Sequence, residues 1–182
     1  MLPITNVVVD GGDLMKLQEH TIRCFGFEWR YFCDWGWLTE LPDVPNAEEK
    51  LYGGLIENTR SAFWSKTLFQ KEELYPGLLV LDAGCGNGRF TNQAALTGVG
   101  AIGLGLGWGV ESAFEHTRHL PNVHIVRGDI FRLPFANATF DRIFSIGVLQ
   151  HTGNAGTAFD SLARTLKGGG LMLAHVYGKG RK

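Results

Sequence analysis

Residues Leu79 to Phe90 read LVLDAGCGNGRF, an apolar run that meets an acid and opens into a glycine-rich loop. Leu79–Ala83 shows no polar alternation until Asp82, the pattern of a strand covered on both faces. Gly84, Gly86 and Gly88 let the backbone turn tightly and approach a ligand where a Cβ would collide. The helix expected from Arg89 starts with unpaired N–H groups that suit a polar ligand. A purely structural strand-to-helix turn is the alternative. Two details narrow the ligand. GCGNG lacks the third glycine of a dinucleotide GxGxxG loop, because Arg89 holds that position. Asp82 would repel a pyrophosphate at close range, whereas an amino-acid moiety with an ammonium group would be attracted.

Working outward from this unit, strands and helices alternate. GAIGLG (Gly100–Gly105) predicts a second strand and VESAFEHTRHL (Val110–Leu120) a second helix. VHIVRGD (123–129) and FDRIFSIG (140–147) give strands three and four, AGTAFDSLARTLK (155–167) a helix, and GLMLAHVYG (170–178) strand five. Strands joined through helices require right-handed crossovers, hence a parallel, doubly wound α/β sheet. Upstream, Asn58–Leu74 carries apolar residues at helical spacing until Pro76 and Gly77 stop it. Arg23–Leu38 is dense in aromatics, and Asn46 is placed to cap a helix before Glu48 and Glu49. The division is an aromatic and helical cap over residues 1–57 and a cofactor-binding domain over 58–182.

Composition limits the classes of function. A chain of 182 residues, 45% hydrophobic and 19% charged, has the balance of an ordinary globular domain. A net charge of -1 gives no general attraction to nucleic acid or to an anionic membrane. Cys24, Cys33 and Cys85 are odd in number and lack CxxC spacing, which points to reduced thiols. With no spanning apolar run and no signal-peptide pattern, the expectation is a cytoplasmic protein without membrane or nucleic-acid partners. His20, His116, His119 and His124 fall at no metal-ligand spacing, so no metal site is expected.

Downstream of the glycine loop lie RGDIFRLPFANATFDRIFSIGVLQHT and LARTLKGGGLML. Together with VLDAGCGNGRF they resemble, over about residues 58–178, the class I S-adenosylmethionine-dependent methyltransferases, in particular the small-molecule, ubiquinone-biosynthesis-like type. The resemblance implies a Rossmann-like sheet of order 3-2-1-4-5 and S-adenosylmethionine as cofactor, leaving as S-adenosylhomocysteine. It implies that Asp82, Gly84, Cys85, Gly86, Asn87 and Gly88 surround the methionine part, with Asp82 orienting its ammonium. Gly105 and Leu106 would lie by the ribose, and Asp129 and Ile130 by the adenine. Ser145, Ile146 and Val148 would line the region of the sulfonium. The acceptor would be a small molecule methylated on O, N or C. SIGV after strand four is not the Asn/Asp-Pro-Pro-Tyr of amino-group methylation on adenine or glutamine, and no Pro-Cys pair suits cytosine chemistry.

Displacement at an activated methyl needs alignment, exclusion of water and, for some acceptors, loss of a proton. His151, after strand four, is the candidate base; the alternative is that it only fixes its loop. His175 and Tyr177 could face the same crevice. Trp29, Tyr31, Phe32, Trp35 and Trp37 could form a lid or simply a core.

The chain departs from the family pattern in three places. Gly105 stands where an acid usually takes the ribose hydroxyls, and Glu111 is too far along the next helix to replace it. Gly168 replaces the proline of the LKPGG turn. The chain stops close behind strand five, leaving no residues for the family's last two strands; a fragment, an altered form, or a homo-oligomer paired through the strand-five edge would account for that. A catalytically weak or inactive binding module of the same fold is therefore a second reading. An NAD-binding oxidoreductase is disfavoured by GCGNG and by the missing acid.

Overall fold

In the computed structural model, residues 29, 31–40 and 55–177 are described. The helix around Asn46 and Cys24 lie outside them. Five parallel strands form one sheet in the order β3-β2-β1-β4-β5, with β1 (Leu79–Ala83) at its centre. β2 (Gly100–Gly105) and β4 (Phe140–Ile146) flank it, and β3 (Val123–Arg127) and β5 (Leu166–His175) form the edges. Leu81 pairs with Ile102 on one side and Ile143 on the other. α1 (Ile56–Thr67), α2 (Arg89–Ala95), α3 (Gly109–Thr117) and α4 (Ala155–Thr165) surround the sheet.

The period-two alternation of buried strands builds two cores. Val80 and Phe144 pack with Phe63, Phe69, Phe90 and Ala94 on the side of α1 and α2. Leu81, Ala83 and Ile143 turn to the other face, against Leu149, Ala158 and Leu162. Each such full burial of a large side chain contributes about 1.5–3 kcal/mol. Asp82 shares Val80's face, and this directs its carboxylate at α2 rather than at the strand ends.

The structure corrects several sequence-based boundaries. α1 stops at Thr67 rather than running to Leu74. Leu68 takes a left-handed conformation at φ 55° and donates its N–H to the Trp64 carbonyl, so the helix closes without glycine. A short 3₁₀ turn, Lys71–Glu73, follows. At the other end, α4 stops at Thr165 and β5 begins at Leu166, inside the segment read as helix. The register jumps from Phe140–Leu166 to Arg142–Leu171, with Lys167 reaching Asp141 at 2.9 Å. A Cβ on Gly168 would meet nothing within 4 Å, so the missing proline answers no steric demand. No helix among the described residues is long and apolar enough to cross a membrane.

Candidate active site

The strand carboxyl ends of β1, β2 and β4 converge on one crevice, as an open α/β sheet requires. Gly84, at φ +95°, carries the chain out of β1, and the N–H groups of Gly84 and Cys85 both donate to the Leu104 carbonyl at 2.8 and 2.9 Å. This clasp holds the glycine loop on the end of β2. Gly109 faces the loop so closely that a Cβ there would lie 2.6 Å from the Gly86 carbonyl oxygen.

Two adjoining cavities open over the loop, one of about 520 Å³ and one of about 160 Å³, sharing Gly84, Gly105, Leu106, Val148 and Thr152. The larger continues past Asp129, Ile130 and Phe131 to the start of α4. The smaller runs past Gly86 and Ile146 to His151 and is walled by Trp29. Asp129 is the sole charged side chain among these lining residues. It is 8% exposed, and the Phe131 N–H donates to its Oδ1 at 3.0 Å, which fixes the carboxylate's direction.

Of the residues singled out from the sequence, Gly84, Gly86, Gly105, Leu106, Asp129, Ile130, Ile146, Val148 and His151 line these cavities. The others stand behind the wall. Asp82 is buried and accepts from Thr91 Oγ1 at 2.6 Å; its burial, only partly opposed by that bond and by Arg89, raises the carboxyl to about 7. Burial, with the Asp82 charge beside it, also pushes the Cys85 thiol well above its ordinary value, so it is a packing group and not a thiolate. Ser145 donates to the Ala83 carbonyl at 2.8 Å. Gly88 packs on α3, where its Cβ would lie 2.9 Å from the Ala113 Cα.

Asn87, fully buried, has spent its amide on the aromatic segment, donating to the carbonyls of Cys33 at 2.9 Å and Trp35 at 2.7 Å. That segment is tied down further by Thr59 to Gly36 and by His116 to Asp34. Of the five aromatics considered as a lid, Trp29 alone reaches the cavity. Trp37 stacks on His116 at 4.5 Å, while Tyr31 and Phe32 are exposed. His175 lines neither cavity, and its carbonyl accepts from the Gly147 N–H. Tyr177 does meet His151, its Oη lying 2.6 Å from Nε2.

At the missing acid the space is filled. A Cβ on Gly105 would come within 2.8 Å of Val110 Cγ2 and 3.3 Å of Cys85 Sγ. Glu111 is engaged by Arg127, whose guanidinium also donates to the Leu106 and Gly107 carbonyls, and it lines neither cavity. Sequence reasoning missed the rim formed by Thr152, Gly153, Asn154 and Thr157. Its signal was present: Asn154 caps α4, accepting from the Thr157 N–H at 3.0 Å. Among the described residues, no three His, Cys, Asp or Glu side chains cluster as a metal site would need.

The methyltransferase domain family matches residues 81–174, more than half of the chain. A protein of Encephalitozoon cuniculi described as "Putative methyltransferase" is 34% identical over 128 residues, covering 68% of this chain and 57% of its own. The demethylmenaquinone methyltransferase of Corynebacterium kroppenstedtii is 31% identical over 109 residues, covering 60% of this chain and 46% of its own. The chain thus spans about half the length of these relatives. Among solved structures, the [4+2]-cyclase SpnF superposes with a TM-score of 0.56 at 21% identity, covering 72% of this chain and 48% of that one. That likeness concerns the fold alone, and one fold can serve different chemistry. The matched domain, the sheet order and the crevice at the strand ends agree: this chain belongs to the class I S-adenosylmethionine-dependent methyltransferase family.

Proposed function

We propose that the chain holds S-adenosylmethionine across the two cavities and directs methyl transfer to a small molecule with a largely apolar body. The observation that carries this reading is the crevice itself: a fixed carboxylate at one end, a histidine at the other, and glycine and aliphatic walls between. The residues fit the cofactor. Gly84 and Gly86 let Val148 and Trp29 close on the loop beside the space for the methionine part, Asp129 accepts from the adenine amino group, and Ile130 packs on the ring. Gly105 and Leu106 border the ribose; Ile146 and Val148 flank the sulfonium.

The cofactor supplies a methyl already activated on sulfur. His151 takes the proton that the acceptor atom loses, and Trp29 keeps water from the reacting centre. The apolar lining supports a small-molecule acceptor, as does a relative named for a quinone precursor. The test is transfer of radiolabelled methyl from S-adenosylmethionine to reduced demethylmenaquinone, a C18 unsaturated fatty acid and a sterol. Labelled product from one of these is expected. Bound cofactor with no product from any would favour a binding module.

His151→Ala should lower the transfer rate by about 10²-fold, the usual contribution of a general base, with S-adenosylhomocysteine affinity unchanged. A parental rate would reduce His151 to loop structure.

Gly105 gives the second reading its specific support, because a carboxylate there would accept from both ribose hydroxyls. Bonds to charged groups contribute about 1.5–3 kcal/mol, so their loss weakens cofactor affinity by roughly ten- to a hundredfold. Restoring the acid requires room as well as charge, since Val110 occupies the approach. Gly105→Asp with Val110→Ala should therefore bind S-adenosylhomocysteine about tenfold more tightly than the parent, water having already replaced part of the lost contact. Gly105→Asp alone should gain less. Equal or weaker binding by the double variant, measured calorimetrically, would show that another group holds the ribose.

A further inference from the structure

We propose that the side of the protein built by α1 and α2 carries a second ligand site, which takes a phosphate monoester on a planar heterocyclic body, the chemistry of a nucleoside monophosphate. A cavity of about 610 Å³ opens there, with Arg60, Trp64, Lys71 and Gln93 in its walls. It shares no residue with the two cavities of the crevice. Three pieces of chain build it. Arg60 and Trp64 stand four residues apart on α1 and so on one face of that helix. Left-handed Leu68 ends α1, and the 3₁₀ turn after it brings Lys71 to the same opening. Gln93 comes from α2. The Trp64 ring is held edge-on by Phe63, with centroids 5.1 Å apart.

Folding alone gives no reason for Gln93. It is 5% exposed, yet its side-chain amide makes no hydrogen bond within the protein. An amide so far withdrawn from water and left without a partner is costly, and an apolar residue would fill that place on α2 without the cost. Because Gln93 lines this cavity, its donor and its acceptor are left for whatever enters. The cations are unspent as well. Among the described residues neither Arg60 nor Lys71 forms an ion pair, and no carboxylate lines the cavity. Glu57 precedes Arg60 by one turn and Glu72 follows Lys71, but neither pairs with them; Glu73 accepts the Gln70 N–H at 2.8 Å. A phosphate monoester carries about 1.5–2 negative charges at neutral pH, which one guanidinium and one ammonium match. Trp64 presents an aromatic ring to a planar body, and the Gln93 amide matches a heterocycle edge with donor and acceptor side by side. Inorganic phosphate would leave both of them unused.

The test is titration of ¹⁵N-labelled protein with adenosine monophosphate, with S-adenosylhomocysteine in excess to occupy the crevice. Saturable shifts of the Gln93 side-chain amide and the Trp64 indole N–H are expected. Arg60→Gln with Lys71→Gln changes two exposed positions, so the fold and the S-adenosylhomocysteine affinity should be parental. Its affinity for adenosine monophosphate should fall about tenfold or more. Gln93→Leu should weaken the nucleotide too, and inorganic phosphate should bind the parent less tightly than the nucleotide does. No shift at Gln93 and Trp64, unchanged nucleotide affinity in the double variant, or phosphate binding as tight as the nucleotide's would overturn the assignment. So would preferential binding to vesicles containing phosphatidic acid, which would put the phosphate on a lipid surface. The shifts are read at Gln93 and Trp64 themselves, which keeps the outcome distinct from any failure of the crevice to hold S-adenosylhomocysteine.

Discussion

Gly88→Val is expected to lower the thermal midpoint by roughly 4–20 °C and to abolish cofactor binding with it. Two costs combine. Gly88 sits at φ +82°, a left-handed conformation that costs an L-residue roughly 1–2 kcal/mol. Its Cβ would also stand 2.9 Å from both Cα and Cβ of Ala113, and overpacking of this kind costs about 1–3 kcal/mol. Together that is about 2–5 kcal/mol, and each kcal/mol moves the midpoint of a domain this size by about 2–4 °C. From the sequence, a Cβ at Gly88 is expected to collide with the ligand; in the structure it collides with the helix behind the loop instead. Gly86 is the contrasting position. At φ +53° it carries the same backbone cost, but its Cβ would meet Trp29 Cζ2 at 2.7 Å on the wall of the smaller cavity, so Gly86→Ala should lose affinity as well as stability. Thermal unfolding beside calorimetry separates the two. A Gly88→Val protein with a parental midpoint would contradict the packing described for α3.

Asp82 should make the parent less stable at pH 8 than at pH 5, by roughly 2–3 kcal/mol from this group alone. Burial raises its carboxyl from 3.8 to about 7, so the native state holds a proton that the unfolded chain has released across that window. Stability therefore falls as the pH rises from about 4 to about 7 and is flat above it. Asp82→Asn keeps an acceptor for the Thr91 hydroxyl and removes the titration, so the difference between pH 5 and pH 8 should shrink by that amount in urea unfolding. The same substitution should leave S-adenosylhomocysteine affinity near the parental value, because the carboxyl faces Thr91 behind the loop and lines neither cavity. An unchanged pH dependence would mean that Asp82 is ionised in the native protein at both values.

The sheet was legible because its strands carry the signal themselves. LVLDA, GAIGLG and FDRIFSI are short apolar runs separated by helical patterns, and such runs have few alternatives to a parallel sheet. The end of α1 was not legible, since Leu68 adopts a left-handed conformation that nothing in its side chain announces. The start of β5 was hidden for a related reason: TLKGG continues the α4 pattern until pairing with Phe140 overrides it. For the site, backbone positions such as Gly84 and Gly105 followed directly from the motif. Asn87 and Tyr177 could not be placed that way. The amide of Asn87 is committed to Cys33 and Trp35, more than fifty residues away, and Tyr177 meets His151 across two strand ends. Such partners are set by tertiary packing, which no local pattern encodes.

Calorimetric titration of the unaltered protein with S-adenosylhomocysteine, beside NAD, is the most direct measurement of the central claim. The crevice over Gly84, Gly105 and Asp129 predicts saturable one-site binding of S-adenosylhomocysteine and none of NAD. Absence of S-adenosylhomocysteine binding by the folded protein, or preference for NAD, would contradict it.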